Sequence, residues 1–202
     1  YIPPSVGTSA TFDGLAYPGS TVTLLKDAQV VATTVADENA HFNVIISGLS
    51  GGNYNFSMYS QDNKGVRSSL LNFPISITAG ATTSVSGIFI APTISVDKSE
   101  VKQGDSIVVF GQSASVADVF ISLGLKGEVS TKTTSDKNGI YSYNFNTSSL
   151  DYGNYYIKNK ASVGSQLMSG WGYLIDFKVG NKNIANTAGK AILKGDLNGD
   201  GR

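Results

Sequence analysis

Thr21-Val22-Thr23-Leu24-Leu25, His41-Phe42-Asn43-Val44-Ile45-Ile46 and Asn53-Tyr54-Asn55-Phe56-Ser57-Met58-Tyr59 are three stretches in which a large apolar side chain falls on every second residue. Val22 and Leu24 share one face, as do Phe42, Val44 and Ile46, and then Tyr54, Phe56 and Met58. A period of two is that of a strand with one buried side. The stretches are separated by Pro18-Gly19, Asp37-Glu38-Asn39, Gly51-Gly52 and Asp62-Asn63-Lys64-Gly65. Such residues favour turns, because they tolerate positive φ or bond locally to the backbone. No segment sustains an apolar period of 3.6 over three turns, so no long helix is expected.

The second half repeats this order. Val119, Ile121 and Leu123 match the first core strand, and Asp136-Lys137-Asn138-Gly139 is a turn followed by Tyr141, Tyr143 and Phe145 on one face. Gly153-Asn154-Tyr155 opens a further strand, and Trp171, Tyr173, Ile175, Phe177 and Val179 alternate through the last. Phe12-Asp13-Gly14 overlays Val109-Phe110-Gly111, Gly52-Asn53-Tyr54 overlays Gly153-Asn154-Tyr155, and Phe73-Pro74-Ile75 overlays Phe177-Lys178-Val179. The offset creeps from roughly 97 to roughly 104 residues, as loops of variable length around a fixed strand order allow. A repeat of about 100 residues with short strands and frequent turns predicts an all-β chain of two tandem β-sandwiches. The expected division is an extension over 1–8, sandwiches over 9–92 and 93–180, a small polar linker over 181–194, and a distinct tail over 195–202. The joint at Ala91-Pro92-Thr93 is short, which predicts a semi-rigid pair.

Pro18-Gly19-Ser20-Thr21-Val22, Asp37 to Phe42, Leu49 to Tyr54 and Asp62 to Gly65 together resemble the immunoglobulin-like domains of bacterial surface and secreted proteins. The second copy is similar more loosely, with Val116-Ala117-Asp118 in place of a Pro-Gly turn and no counterpart to the Asp62–Gly65 turn. The resemblance implies tandem immunoglobulin-like sandwiches at the cell surface or outside the cell. This architecture serves many roles, so it specifies fold more than function.

Composition narrows the classes. Formal net charge is zero and 15% of the 202 residues are charged. No basic face or polybasic cluster marks a nucleic-acid or membrane-surface binder. No apolar run approaches the roughly 20 residues of a spanning helix, and no signal peptide is present. If the protein is secreted, Tyr1 is expected to open a mature or trimmed chain. The absence of cysteine removes disulfides and thiolate metal sites.

One motif carries metal chemistry. In Gly195-Asp196-Leu197-Asn198-Gly199-Asp200-Gly201-Arg202, the side chains of Asp196, Asn198 and Asp200 stand at alternating positions of a calcium loop and Gly201 at its sharp turn. This is similar to the opening of a dockerin, which implies calcium as ligand and a cohesin domain as partner. The sequence ends before the distal ligand and the second loop, so weak calcium binding is expected.

The remaining candidates favour structure over chemistry. His41, the single histidine, lies opposite Phe42 and Val44 with no nucleophile and acid set beside it. Asp37, Glu38, Glu100, Glu128 and Asp136 are the carboxylates from which a glycosidase pair would come, and turn formation accounts for Asp37 and Asp136. Tyr141 and Tyr143 share phase with Phe145 and are expected inward, Trp171 and Tyr173 share phase with Phe177 and are expected at the core or its rim, and Tyr59, Tyr152 and Tyr156 are expected outward, where they could stack a sugar. Tyr1, Ile2, Pro3, Pro4 and Val6 form an extended segment suited to donating a strand to a sheet edge of a neighbouring subunit. The expected function is a non-enzymatic extracellular spacer or self-assembling subunit, with other copies or neighbouring surface proteins as partners. The alternative is a carbohydrate-binding accessory module.

Overall fold

The alternating stretches form strands in the computed structural model, which describes residues 7–124 and 129–187. Thr21–Lys26, Gln29–Val35, Gly52–Gln61 and Leu71–Ile77 are β2, β3, β5 and β6, hydrogen-bonded in the order β3-β2-β5-β6. Ser9–Leu15, His41–Ser47 and Thr82–Phe89 are β1, β4 and β7, in the order β4-β1-β7. The two sheets close on a shared core. Phe12 of β1 meets Phe56 of β5 with ring centroids 4.9 Å apart and Phe73 of β6 at 5.9 Å. Val22, Leu24, Phe42, Val44 and Met58 are buried around them, on the faces that alternation assigns. Rings of this size dominate such a core by the apolar area they remove from water.

The second half repeats the plan with additions. Ser95–Val96, Ser106–Gln112 and Ile140–Asn146 are β8, β10 and β13, ordered β13-β10-β8. The facing sheet has the order β12-β11-β14-β16-β9-β17. It comprises Val129–Thr134, Asp118–Leu123, Gly153–Val163, Ile175–Gly180, Lys98–Lys102 and Ile184–Ala185, respectively. Leu167–Met168, β15, pairs with β14. Ile184–Ala185 lies in the stretch expected to be linker, yet pairs with β9. The core again lies between the sheets, around Val109, Ile121, Ile157 and Phe177.

Two expectations about side-chain placement are corrected. Register places Ile77 opposite Gly52 and Val179 opposite Gly153, so Phe73-Pro74-Ile75 corresponds to Ile175-Asp176-Phe177, two residues earlier than the overlay gave. A shift of two preserves the buried face, which is why composition could not detect it. Trp171 and Tyr173 precede β16 and are 43% and 53% exposed, so they are not core residues. The turn without a Pro-Gly pair is a left-handed one like its counterpart: Val116 takes φ 51° where Gly19 takes 68°.

Candidate functional site

The residues that converge most tightly do so where the sandwiches meet. Three turns begin with the same local chemistry. Asp37 Oδ1 accepts the N–H groups of Asn39 and His41 at 2.9 and 2.8 Å. Asp136 Oδ1 does the same for Asn138 and Ile140 at 2.8 and 2.9 Å. Asp62 Oδ1 accepts from Lys64 and Val66 at 2.9 and 2.8 Å. Each carboxylate thus substitutes for a backbone acceptor inside its turn. Asp62 differs in what its second oxygen does: Oδ2 accepts the hydroxyl of Thr93, in the connection between sandwiches, at 2.8 Å.

That connection is buried and held from both sides. Ile90, Ala91, Thr93 and Ile94 are between 0% and 6% exposed. Tyr17 of the first sandwich donates its hydroxyl to the carbonyl of Ala91. From the second, Tyr141 donates to the carbonyl of Thr93 at 2.6 Å, and Asn159 Nδ2 donates to the same carbonyl at 3.0 Å and to the Tyr141 oxygen at 2.7 Å. The hydroxyl of Thr93 also accepts the N–H of Gln112 at 2.9 Å. Gln112 Oε1 then reaches back to accept the N–H of Asn63 at 3.1 Å. Burial raises the Tyr17 and Tyr141 hydroxyls well above the usual tyrosine range, because a phenolate would be desolvated there.

Glycine makes this convergence sterically feasible. A Cβ on Gly111 would stand 2.1 Å from the Thr93 carbonyl oxygen, and one on Gly139 would stand 2.1 Å from the Ser113 oxygen and 2.9 Å from Pro18 Cδ across the joint. Leu15, Ala40 and Phe89 of the first sandwich are continuous with the core of the second. Further contacts cross outside: Lys64 Nζ sits 4.5 Å from the Phe110 ring centroid, and Ser69 Oγ donates to the Trp171 carbonyl at 3.0 Å. A connection whose Ile90 and Thr93 N–H groups and Ala91 and Thr93 carbonyls are bonded, and whose apolar side chains are buried, cannot swivel without breaking those bonds.

The sequence-derived candidates lie elsewhere. Asp196, Asn198 and Asp200, and Tyr1, Ile2, Pro3, Pro4 and Val6, lie outside the described residues, as does Glu128. His41 is exposed. Among the described residues no group of three His, Cys, Asp or Glu side chains could hold a metal. Tyr152 and Tyr156 are exposed, on the second sandwich, whereas Tyr59, on the first, is half-buried with Arg67 4.7 Å from its ring centroid. Trp171 has the ammonium groups of Lys158 and Lys160 at 4.4 and 4.9 Å from its ring centroid. Sequence reasoning found the turn at Asp62 and the joint at Thr93 separately. The partnership between them, with Gln112 and Asn159, carried no periodic signal.

No family model matches the chain, and no curated protein matches it. Solved structures do. The fibronectin(III)-like modules of CbhA from Clostridium thermocellum are 18% identical, with 88% of this chain and 92% of that chain covered and a TM-score of 0.33. The tetra-tandem repeat in the extending region of a large adhesion protein is 19% identical, with 87% and 50% covered and a TM-score of 0.36. The BSP domain of a biofilm-associated protein is 18% identical, with 81% and 25% covered and a TM-score of 0.34. The chain thus spans half of the repeat structure and a quarter of the biofilm-associated one. At these scores no role is transferred, and the fold rests on the strand pairing described above.

Proposed function

We propose that this chain is a rigid two-sandwich spacer, a non-enzymatic structural or adhesive segment of an extracellular bacterial surface protein or secreted complex. The observation that carries the reading is the clamped connection, in which Thr93 is bonded to Asp62 of one sandwich and to Tyr141, Asn159 and Gln112 of the other. A binding module tolerates a loose tether, whereas a spacer transmits position only if its joints hold. The immunoglobulin-like resemblance, the absence of cysteine and the neutral charge agree with this role. Its partners are neighbouring surface proteins or further copies, and the dockerin-like tail with Asp196, Asn198 and Asp200 is a means of attachment when its calcium loop is complete. Small-angle scattering tests the proposal. A single rigid conformer should fit the curve from 50 mM to 1 M salt, and a curve that demands an ensemble of inter-sandwich angles would refute it.

The run Trp171-Gly172-Tyr173-Leu174 favours a second reading, because three of its side chains are 43% to 53% exposed in succession. Exposed rings of this kind stack on sugars. Trp171 is the single tryptophan, so titration with soluble glycans while following its fluorescence tests the reading directly, and an unchanged spectrum removes it.

A further inference from the structure

The two sandwiches differ by one residue at the same place in their repeat. Ser68 and Ser169 mark its start. Each donates its N–H to the strand beside it, at the carbonyls of Ser60 and Ala161, and each accepts the N–H of that same residue on its hydroxyl. Phe73 opposite Phe56 and Ile175 opposite Ile157 mark its end. The first sandwich runs from 68 to 73, and the second, one residue longer, from 169 to 175. In the first, pairing continues to Leu71 opposite Met58, whereas in the second it stops at Ile175. The extra residue is taken up as a bulge, and a bulge re-aims the side chain it carries. That side chain is Trp171. Its carbonyl accepts the Ser69 hydroxyl at 3.0 Å, and the N–H of Gly172 reaches the Asn159 carbonyl at 2.7 Å. A Cβ on Gly172 would stand 2.2 Å from Asn159 Oδ1 and 2.8 Å from the Pro92 carbonyl oxygen, so this close approach needs glycine. The tryptophan ring is thus carried on backbone pinned by both sandwiches.

Lys158 and Lys160 of β14 are two residues apart and so share its outer face, and their ammonium groups lie 4.4 and 4.9 Å from the Trp171 ring centroid. Lys132 and Lys178, on the same face, each meet a carboxylate, Asp118 at 3.1 Å and Glu100 at 3.4 Å. Lys158 and Lys160 form no ion pair among the described residues. Asp176 lies farther along this face, opposite Tyr156, and pairs with neither. In a chain of zero net charge, two cations without a counter-ion against one exposed ring are a local excess. We propose that Trp171, Lys158 and Lys160 bind an acidic polysaccharide, one built from uronic acid units. A uronic acid presents an apolar C–H face that stacks on an indole and a carboxylate at the rim of its own ring. The indole is 43% exposed, which leaves it open to the sugar on the side the lysines do not hold. Each ammonium rides on a flexible four-carbon stem, so it can exchange a weak ring contact for a charge-assisted hydrogen bond to the carboxylate. A nucleic acid also offers stacking and negative charge, but its affinity comes from many phosphate contacts along a basic surface. The described residues of this face offer two free cations. The site deepens the sugar-stacking reading of Trp171, on which it rests, by naming the charge of the sugar.

Oligogalacturonate added in the absence of divalent cations should change the Trp171 emission. Its methyl-esterified form keeps the sugars and caps the carboxylates, and should bind about tenfold more weakly or worse. Raising salt from about 50 mM to about 500 mM should shrink that difference, because exposed charges are screened. Lys158→Gln combined with Lys160→Gln should lose the preference for the acid and keep the thermal midpoint. Calorimetry reads this variant free of the emission change that removing a cation from the ring brings. Equal affinity for acid and ester, with the lysine variant unchanged, would overturn the proposal and leave the sugar-stacking reading standing. Binding of neither form would overturn both. Oligothymidylate bound more tightly than oligogalacturonate would also overturn it, assigning the two cations to phosphate.

Discussion

Replacing Thr93 by valine keeps the shape of a buried side chain and removes one oxygen, which makes it a direct probe of the joint. Thr93 is 2% exposed, and its hydroxyl donates to the Asp62 carboxylate at 2.8 Å while accepting the Gln112 N–H at 2.9 Å. A hydrogen bond to a charged group is worth about 1.5–3 kcal/mol, and a buried N–H left without a partner costs about 1–3 kcal/mol. The added methyl returns about 0.8 kcal/mol of apolar burial. Thr93→Val should therefore lose about 2–5 kcal/mol of stability. The loss falls on the contact between sandwiches rather than within either core. Urea unfolding followed by Trp171 fluorescence and by far-ultraviolet circular dichroism is the assay. Trp171 lies beside the joint, since Gly172 donates its N–H to the Asn159 carbonyl at 2.7 Å. The wild-type chain should give coincident transitions. In the variant, the two probes should separate as the sandwiches uncouple. A loss under about 0.5 kcal/mol with coincident transitions would refute the clamp, because it would mean that neither bond matters in solution.

Other consequences follow from the same geometry. The Tyr17 and Tyr141 hydroxyls have folded pKa values raised above the unfolded value near 10, chiefly by burial. Their contribution is complete below pH 10 and is lost as pH rises toward the folded values, because only the unfolded chain releases those protons. Stability should fall by about 1.4 kcal/mol per pH unit for each tyrosine above pH 10. Urea midpoints across pH 8 to 11.5 should show this slope, and Tyr141→Phe should roughly halve it. Gly139→Ala should destabilise by about 2 kcal/mol or more in thermal melts, since its φ is 75° and its Cβ would meet the Ser113 oxygen at 2.1 Å. Ala40, the counterpart, occupies φ 70° with its methyl in place, so strain alone is survivable and the carbonyl contact should dominate. Val116→Gly should raise stability by about 1 kcal/mol, because Val116 is a β-branched residue at φ 51° and is 67% exposed. Calcium titrated into this chain by calorimetry should bind only in the millimolar range or weaker, through Asp196, Asn198 and Asp200, and Asp196→Ala should abolish the heat.

Local chemistry determined much of this protein before any tertiary contact was known. Alternation in His41–Ser47 and Gly52–Gln61 fixed which side chains face inward, because strand side chains point to opposite faces in turn. Asp37, Asp62 and Asp136 announced their turns for an equally local reason, a side-chain oxygen bonding N–H groups two and four residues on. Trp171 and Tyr173 were misplaced because periodicity extends beyond the point where pairing stops, and only the partner strand β14 sets that limit. The alignment of β6 with β16 slipped by two residues because a period-two pattern is blind to such a shift. The joint is tertiary throughout. Asp62 reads in sequence only as a turn residue and Thr93 only as part of a joint, and Gln112 and Asn159 read as ordinary polar strand residues. What makes them a site is burial, which removes water as an alternative partner and obliges each donor and acceptor to find another within reach. Only the packing of one sandwich against the other decides which group that is.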